Sequence, residues 1–139
     1  MVRIIPTILL QSPQLQSNYN AVPSILIGRD RDFMIYHITL KQQYQEALTA
    51  GFYTHGSLES EGFIHFSNRE QLVETANRFF QGVEDLVLLV VDQHKVSAEL
   101  KFEDVNGQSF PHLYGRLELE AITKALPLNW AGGVLEGLP

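Results

Sequence analysis

Two histidines stand in nearly the same short sequence context, and their repetition is the first sign of chemistry in the chain. His37 is followed by an apolar residue and Thr39, and His65 is followed by an aromatic residue and Ser67. Each histidine ends a stretch of strand type, and each hydroxyl residue stands three positions before a Gln or Glu. That spacing is typical of a capping box, in which both side chains bind amides at a helix start. Each copy therefore predicts a strand, a cap and a helix.

Amides at helix N-termini attract anions, so two histidines beside two such termini predict a site for a phosphate-bearing ligand. Two alternatives stay open at this point. Each of the histidines, His37 and His65, can be a partly buried ring that is bonded to the backbone. Thr39 and Ser67 can be helix caps with no further role.

A third candidate lies in the phrase Phe-Pro-His-Leu-Tyr-Gly, which begins at Phe110. Strand alternation places His112 and Tyr114 on one side, where they can bind a hydroxyl, stack on a ring or move a proton. The alternative is a core tyrosine beside a hydrogen-bonded histidine. Glu103 and its neighbour Asp104 are expected at a solvated edge. A carboxylate near a histidine cluster could nevertheless orient an imidazole or stabilise positive charge.

Two other chemistries can be considered for the histidines. Three imidazoles can ligate zinc, but His37, His65 and His112 lie far apart without helical ligand spacing, so we expect no metal. His-Ile-Thr and His-Phe-Ser also resemble the paired elements of two-histidine phosphoesterases. In those enzymes two imidazoles act as acid and base on a phosphodiester, and this activity is kept as a second alternative.

Composition narrows the class of protein. The chain has 139 residues, of which 45% are apolar, and a formal net charge of −6. An acidic chain lacks the basic footprint of a nucleic-acid-binding protein, whereas a small charged metabolite needs only a local site. The absence of cysteine excludes disulfides and thiol catalysis. No apolar run approaches the roughly 20 residues of a membrane span. We expect a cytoplasmic protein without a membrane or nucleic-acid partner, and the sequence does not indicate a protein partner.

The elements that must position these side chains follow from periodicity and turn residues. Helical spacing of apolar residues and strand-type runs predict two early strand–helix units followed by a block of strands. An unbroken apolar run at 86–91 predicts a strand covered on both faces. In the next strand alternation turns Ala98, Leu100 and Phe102 inward, and Asn-Gly predicts a tight hairpin turn. The predicted elements are strand 34–38, helix 40–50, strand 62–66, helix 68–81, strands 86–91 and 98–104, a turn at 106–107 and strand 117–123.

These elements give an α+β fold and three regions. Residues 1–33 are expected to be a flexible or loosely docked N-terminal extension. Residues 34–126 form the core domain, and residues 127–139 form a C-terminal tail without a clear pattern.

The chain resembles the bacterial family called domain of unknown function 952. The resemblance rests mainly on the phrases at 61–67 and 110–115, supported by those at 35–38, 75–80, 85–89 and 100–103. It implies an ADP-ribosyltransferase-like fold, a split and strongly bent antiparallel or mixed sheet with two early helices and a cleft that in relatives holds NAD. It further implies that His37 contacts the ribose, and that His65 and Phe66 lie near the position that stacks nicotinamide. Glu103, His112 and Tyr114 compete for the late-strand role.

The resulting hypothesis is an enzyme that binds NAD or an ADP-ribose-like nucleotide and cleaves or transfers at the ribose N-glycosidic bond. NAD would be the substrate, and no metal would be needed. The first alternative is a non-catalytic nucleotide-binding or regulatory module. We expect the three imidazoles to converge on one hollow open to solvent. The expected catalytic residues are His37, His65, Glu103, His112 and Tyr114, and the expected ligand-binding residues are Thr39, Phe66 and Ser67.

Overall fold

A computed structural model describes residues 33–139, and Met34–Pro139 form one unit by their internal contacts. The predicted N-terminal extension therefore lies, apart from its last residue, outside the described residues. Strands and helices alternate at first, and strands dominate after Leu86. The elements are β1 (Met34–Leu40), α1 (Lys41–Ala50), β2 (Phe52–Tyr53), α2 (Ser57–Ser60), β3 (Ile64–His65), α3 (Leu72–Phe79), β4 (Leu86–Asp92), β5 (Glu99–Val105), β6 (Gln108–Tyr114), β7 (Leu117–Glu118), β8 (Ile122–Ala131) and β9 (Val134–Glu136).

The strands form three antiparallel groups with the orders β1-β4-β8-β9, β2-β7 and β3-β6-β5. One short segment, 66–67, joins the first group to the third. The amide of Phe66 donates to the carbonyl of Pro111 on β6 at 2.9 Å, and Ser67 and Tyr36 of β1 exchange two backbone hydrogen bonds at 2.8 and 2.9 Å. The α+β class predicted from the sequence is confirmed, and most of the sheet is antiparallel.

Strand β4 is the centre of the interior. All six residues of the apolar run at 86–91 are buried, as the sequence predicted. Because successive side chains of a strand point to opposite faces, β1 and β4 contribute to two cores. Ile35 and Leu89 pack with Leu113 of β6 in one core. Tyr36 and Leu88 belong to the other core, which lies against α3.

The hairpin between β5 and β6 also follows the prediction. Asn106 and Gly107 both have positive φ angles, of 53° and 86°, and Val105 pairs with Gln108 across this two-residue turn. Such a turn matches the twist of the flanking strands. The predicted inward position of Phe102 is wrong, because its side chain is 55% exposed.

The predicted helix caps are displaced or absent. Thr39 lies inside β1, and the N-cap of α1 is Leu40, which makes no side-chain cap bond. At the second site the capping box exists one residue later than predicted, where Asn68 and Gln71 exchange hydrogen bonds of 2.9 Å. The box fails at Thr39 because the ladder with β4 keeps that residue extended.

The boundaries of two further elements also differ from the expectation. Helix α3 ends at Phe79 and is preceded by a 3-10 turn at Arg69–Gln71, where the sequence predicted one continuous helix over 68–81. Strand β8 continues to Ala131 and pairs with β9, so regular structure reaches into the region expected to be a patternless tail. No helix among the described residues is long and apolar enough to cross a membrane.

Candidate functional site

The first histidine, His37, is enclosed by hydrogen bonds in the interior. It lies on β1 with only 5% of its surface exposed. Its Nδ1 lies 2.6 Å from the carbonyl oxygen of His65, and its Nε2 lies 2.7 Å from the hydroxyl of Tyr53. That hydroxyl is 2.9 Å from Thr39 Oγ1, which in turn is 2.5 Å from Gln43 Oε1. A buried polar chain therefore connects β3, β1, β2 and α1.

Burial governs the charge of His37. The pKa of His37 is lowered from 6.5 to about 3, mainly because burial removes water from the charged ring. The hydrogen bond to the His65 carbonyl raises the pKa, and the charges of His55 and His65 lower it. Because the ring is neutral near pH 7 and a carbonyl only accepts, Nδ1 carries the proton and donates to His65, and Nε2 is the unprotonated nitrogen that contacts the Tyr53 hydroxyl. Both ring nitrogens are occupied, so this ring is held in place rather than offered to a ligand.

The three expected ligand-binding residues are interior as well. Thr39, Phe66 and Ser67 are 1%, 2% and 4% exposed. Thr39 belongs to the polar chain of His37, and Ser67 Oγ lies 3.1 Å from Thr75 Oγ1 on α3. Phe66 packs in the core. The structure therefore gives these side chains packing and positioning roles, and it does not support contact with a ligand.

A second cluster forms on one face of the β3-β6-β5 sheet. His65, His112 and Lys101 lie directly opposite one another across the three strands. Alternation adds Glu103 and Tyr114 to the same face, because each stands two residues from a member of that row. The predicted division of the strand, with His112 and Tyr114 on one side and Leu113 on the other, agrees with the complete burial of Leu113.

A shared carboxylate oxygen organises this face. Glu103 Oε1 accepts from Nδ1 of His112 at 2.7 Å and from the hydroxyl of Tyr114 at 2.6 Å. The side chain of Glu103 is 36% exposed and that of His112 is 5% exposed. No described residue donates to the other oxygen, Oε2. We call Glu103, His112 and Tyr114, together with Phe63 and Lys101, the Glu103 site.

The same hydrogen bonds set the protonation states of the Glu103 site. The pKa of the Glu103 carboxyl is lowered because two groups donate hydrogen bonds to its charged form. The Tyr114 hydroxyl has the larger effect and His112 the smaller. Reciprocally, Glu103 raises the pKa of Tyr114 to about 12. Near neutral pH the site therefore holds an ionised Glu103 carboxylate beside a Tyr114 hydroxyl that stays protonated.

Aromatic rings and a cation surround the carboxylate. Phe63 stacks on the His112 ring at a centroid distance of 4.0 Å and an interplanar angle of 19°. Lys101 Nζ lies 4.9 Å from the centroid of the Tyr114 ring. The ring of His65 contacts that of His112 edge-on at 5.2 Å, and Nε2 of His65 lies 3.0 Å from Glu61 Oε1 in an exposed hydrogen bond. The site is thus rich in flat surfaces with one negative and one positive group.

The structure brings together only part of the expected constellation. The rings of His65 and His112 are neighbours beside Glu103 and Tyr114, whereas His37 reaches this group only through the backbone carbonyl of His65. The two imidazoles with the repeated context therefore do not face one another across a ligand. This arrangement does not support the acid–base pair that a two-histidine phosphoesterase requires.

Sequence reasoning missed four residues that contact these groups: Tyr53, His55, Glu61 and Phe63. Tyr53 is completely buried, and burial raises the pKa of its hydroxyl. His55 lies edge-on to His37 at 5.3 Å, and burial lowers its pKa. Glu61 contacts His65 four residues later, but residues 61–65 are loop and strand, so helical i, i+4 spacing could not have indicated this contact. Phe63 had a local signal, because strand alternation places it on the same face as His65, whereas Tyr53 and His55 had none.

Within residues 33–139 no group of three or more His, Asp or Glu side chains is arranged to hold a metal ion.

Fold and site define an α+β protein with a polar, aromatic-lined sheet face. The family model described as protein of unknown function (DUF952) matches residues 38–125, and the chain belongs to this family. The crystal structure of protein CC0527 from Caulobacter crescentus shares 34% identity and a TM-score of 0.69, over 74% of this chain and 93% of that one. Its solution NMR structure gives 34% and 0.65, over 73% and 90%. No curated protein matches the chain.

Proposed function

We propose that this protein binds a nucleotide of the NAD or ADP-ribose class at the Glu103 site and cleaves or transfers at the ribose N-glycosidic bond. The observation that carries the proposal is the state of Glu103. Its carboxylate is kept ionised by Tyr114 and His112, both of which bond to Oε1, so Oε2 is available to a ligand.

An ionised carboxylate suits this reaction because positive charge develops on the ribose ring as the bond to the base breaks. A fixed negative group beside the anomeric carbon stabilises that charge without reorganising in the transition state. Tyr114 and His112 hold the carboxylate in one orientation. The raised pKa of Tyr114 and the lowered pKa of Glu103 make both poor proton donors to a leaving group near neutral pH. Nicotinamide leaves NAD without needing a proton, which favours NAD over nucleosides with poorer leaving groups.

The other members of the site match the remaining parts of such a ligand. The Phe63 ring, already stacked on His112, provides a flat apolar surface for a base or the nicotinamide ring. Lys101 provides a positive charge for a diphosphate on the same face. His37, which the family resemblance assigns to the ribose, becomes a positioning residue that holds β3 through the His65 carbonyl.

The relation to the ADP-ribosyltransferase-like fold is part of the same proposal. It is supported by the splitting of the sheet at 66–67, where the chain leaves the β3-β6-β5 group and bonds to β1.

The decisive experiment measures nicotinamide release from NAD by the full-length protein. We expect turnover that Glu103→Gln reduces by roughly a hundredfold or more, the usual scale for losing a transition-state electrostatic group. Glu99→Gln is the matched control, because Glu99 lies on the same strand and face at an exposed position. Turnover that persists in Glu103→Gln, or no turnover and no binding of NAD, would overturn the proposal.

A non-catalytic nucleotide-binding module is the second candidate, and one observation favours it. His112, the best general base of the site, is almost buried, and its Nδ1 is committed to Glu103. Saturable stabilisation by NAD or ADP-ribose in a thermal-shift measurement, without release of nicotinamide, would select this alternative.

A further inference from the structure

Strand β5 is the outer strand of the β3-β6-β5 sheet, and it presents an edge. Among the described residues, the backbone of 99–105 makes hydrogen bonds only to its hairpin partner β6. Such an edge pairs readily with a further strand. We propose that two copies of this chain associate through β5 in antiparallel orientation, with Phe102 of both copies on the twofold axis.

The hydrogen-bond pattern of the hairpin determines which backbone groups of β5 are available to pair with a second strand. Val105 and Gln108 flank a two-residue turn, and the pair that closes such a turn exchanges both of its hydrogen bonds. Every second residue before Val105 therefore bonds to β6, and the N–H and C=O groups of Leu100, Phe102 and Asp104 point to the open edge. A dimer centred on Phe102 pairs these groups completely, Phe102 with Phe102 and Leu100 with Asp104.

The side chains are complementary in the same register. Lys101 of each copy lies opposite Glu103 of the other, in the non-hydrogen-bonded pairs where side chains approach most closely. Opposite charges therefore meet twice across the axis. On the other face the two Phe102 rings cover one another, which explains why a phenylalanine stands at a position that is 55% exposed in a single copy.

Other registers are poorer. An axis at Lys101, Glu103 or Asp104 sets a charged residue opposite its own copy, which is destabilising. An axis at Leu100 sets Phe102 opposite Ala98, which lies outside β5, so only residues 99–101 of the strand pair with their copies.

In the proposed dimer the second copy contributes a residue to the Glu103 site. Its Lys101 ammonium comes next to the Glu103 carboxylate, which has about four acceptor positions, of which two are filled on Oε1. A position remains for a ligand hydroxyl. The dimer follows from the open edge of β5 and the side chains along it, and does not depend on the proposed nucleotide chemistry.

Sedimentation velocity on the full-length chain over a range of concentrations tests the inference. We expect a dimer whose population grows with concentration. Lys101→Glu and Glu103→Lys should each weaken it by roughly tenfold or more, because two attractive cross-strand pairs become repulsive. An equimolar mixture of the two variants should form a heterodimer, since both pairs are then attractive again. The double variant K101E/E103K should dimerise as the unmodified chain does.

Glu99→Lys is the control, because it makes the same charge change on the same face but lies opposite Val105 in the proposed register. Its dimer should be unchanged. A chain that stays monomeric at its highest soluble concentration would overturn the inference. So would a mixture that associates no better than its components, or a Glu99→Lys variant that dissociates as readily as Glu103→Lys.

Discussion

The ring of His37 donates to the backbone carbonyl of His65 at 2.6 Å. The two histidines of the repeated phrase are therefore joined by the side chain of one and the backbone of the other. One contributes a buried, neutral imidazole, and the other contributes a carbonyl to the interior while its side chain is half exposed. Similar sequence contexts therefore produce dissimilar environments for the two histidine side chains.

Removal of the Tyr53 hydroxyl tests the buried polar chain. Tyr53→Phe removes the hydroxyl that contacts Nε2 of His37 and donates to Oγ1 of Thr39, and an unsatisfied buried group costs about 1–3 kcal/mol. The free energy of unfolding, measured with urea, should fall by that amount. Tyr44→Phe is the matched control, because the partly buried Tyr44 has no hydrogen-bond partner in the described structure and should lose little. Equal losses in both variants would contradict the role assigned to Tyr53.

The lowered pKa of His37 predicts a pH dependence of stability. In the unfolded chain the ring titrates near pH 6.5, whereas in the folded protein its pKa is about 3. Between these values the unfolded state binds more protons, so the free energy of unfolding falls as the pH is lowered from about 7 towards 3. The total effect is on the order of 5 kcal/mol. Urea unfolding at several pH values checks it.

The control for that measurement is His37→Gln, whose stability should depend less on pH between 6.5 and 5, above the range in which most carboxylates titrate. An unchanged slope would show that another group is responsible for the dependence.

Tyr114→Phe should raise the pKa of the Glu103 carboxyl towards its ordinary value. The tyrosine hydroxyl is the main cause of the lowered pKa, because it donates to the charged carboxylate. Titration of the side-chain carboxyl by 13C NMR measures the effect. Tyr44→Phe should leave the Glu103 titration unchanged, and an unaltered pKa in Tyr114→Phe would contradict the shared-oxygen geometry.

The displaced capping box gives a prediction about stability. Asn68→Ala removes the side chain that accepts from the amide of Gln71, and loss of such a cap costs about 1 kcal/mol. Asn77→Ala, at an exposed position within α3, should be neutral or slightly stabilising, because alanine has the higher helix propensity. Thermal unfolding of both variants makes the comparison, and similar melting temperatures would argue against the cap.

Local sequence patterns predicted the features that depend on neighbouring residues. The apolar run at 86–91 requires cover on two faces whatever lies around it, and it is buried throughout. Asn106-Gly107 adopts positive φ angles with little strain, so the hairpin and its register followed directly. Strand alternation correctly separated His112 and Tyr114 from Leu113, because successive side chains point to opposite faces of the sheet.

The capping box was harder to place, because the spacing rule fits several adjacent hydroxyl and amide residues equally well. Thr39 satisfies the local pattern, yet pairing with β4 continues past it and extends β1. At the second site the cap is Asn68 rather than Ser67, because Ser67 pairs with Tyr36 of β1, a residue far away in the chain.

The sequence by itself determined the α+β class, the β5–β6 hairpin and the buried central strand, because backbone preference and side-chain alternation act within a few residues. Only the tertiary structure decided which histidine is buried and which carboxylate meets Tyr114. Those outcomes depend on the strand register and on the crossing of 66–67 between sheets, where contacts form between residues far apart in the chain. Burial and pKa follow from these distant contacts, so the charge state of a side chain here is a property of the fold.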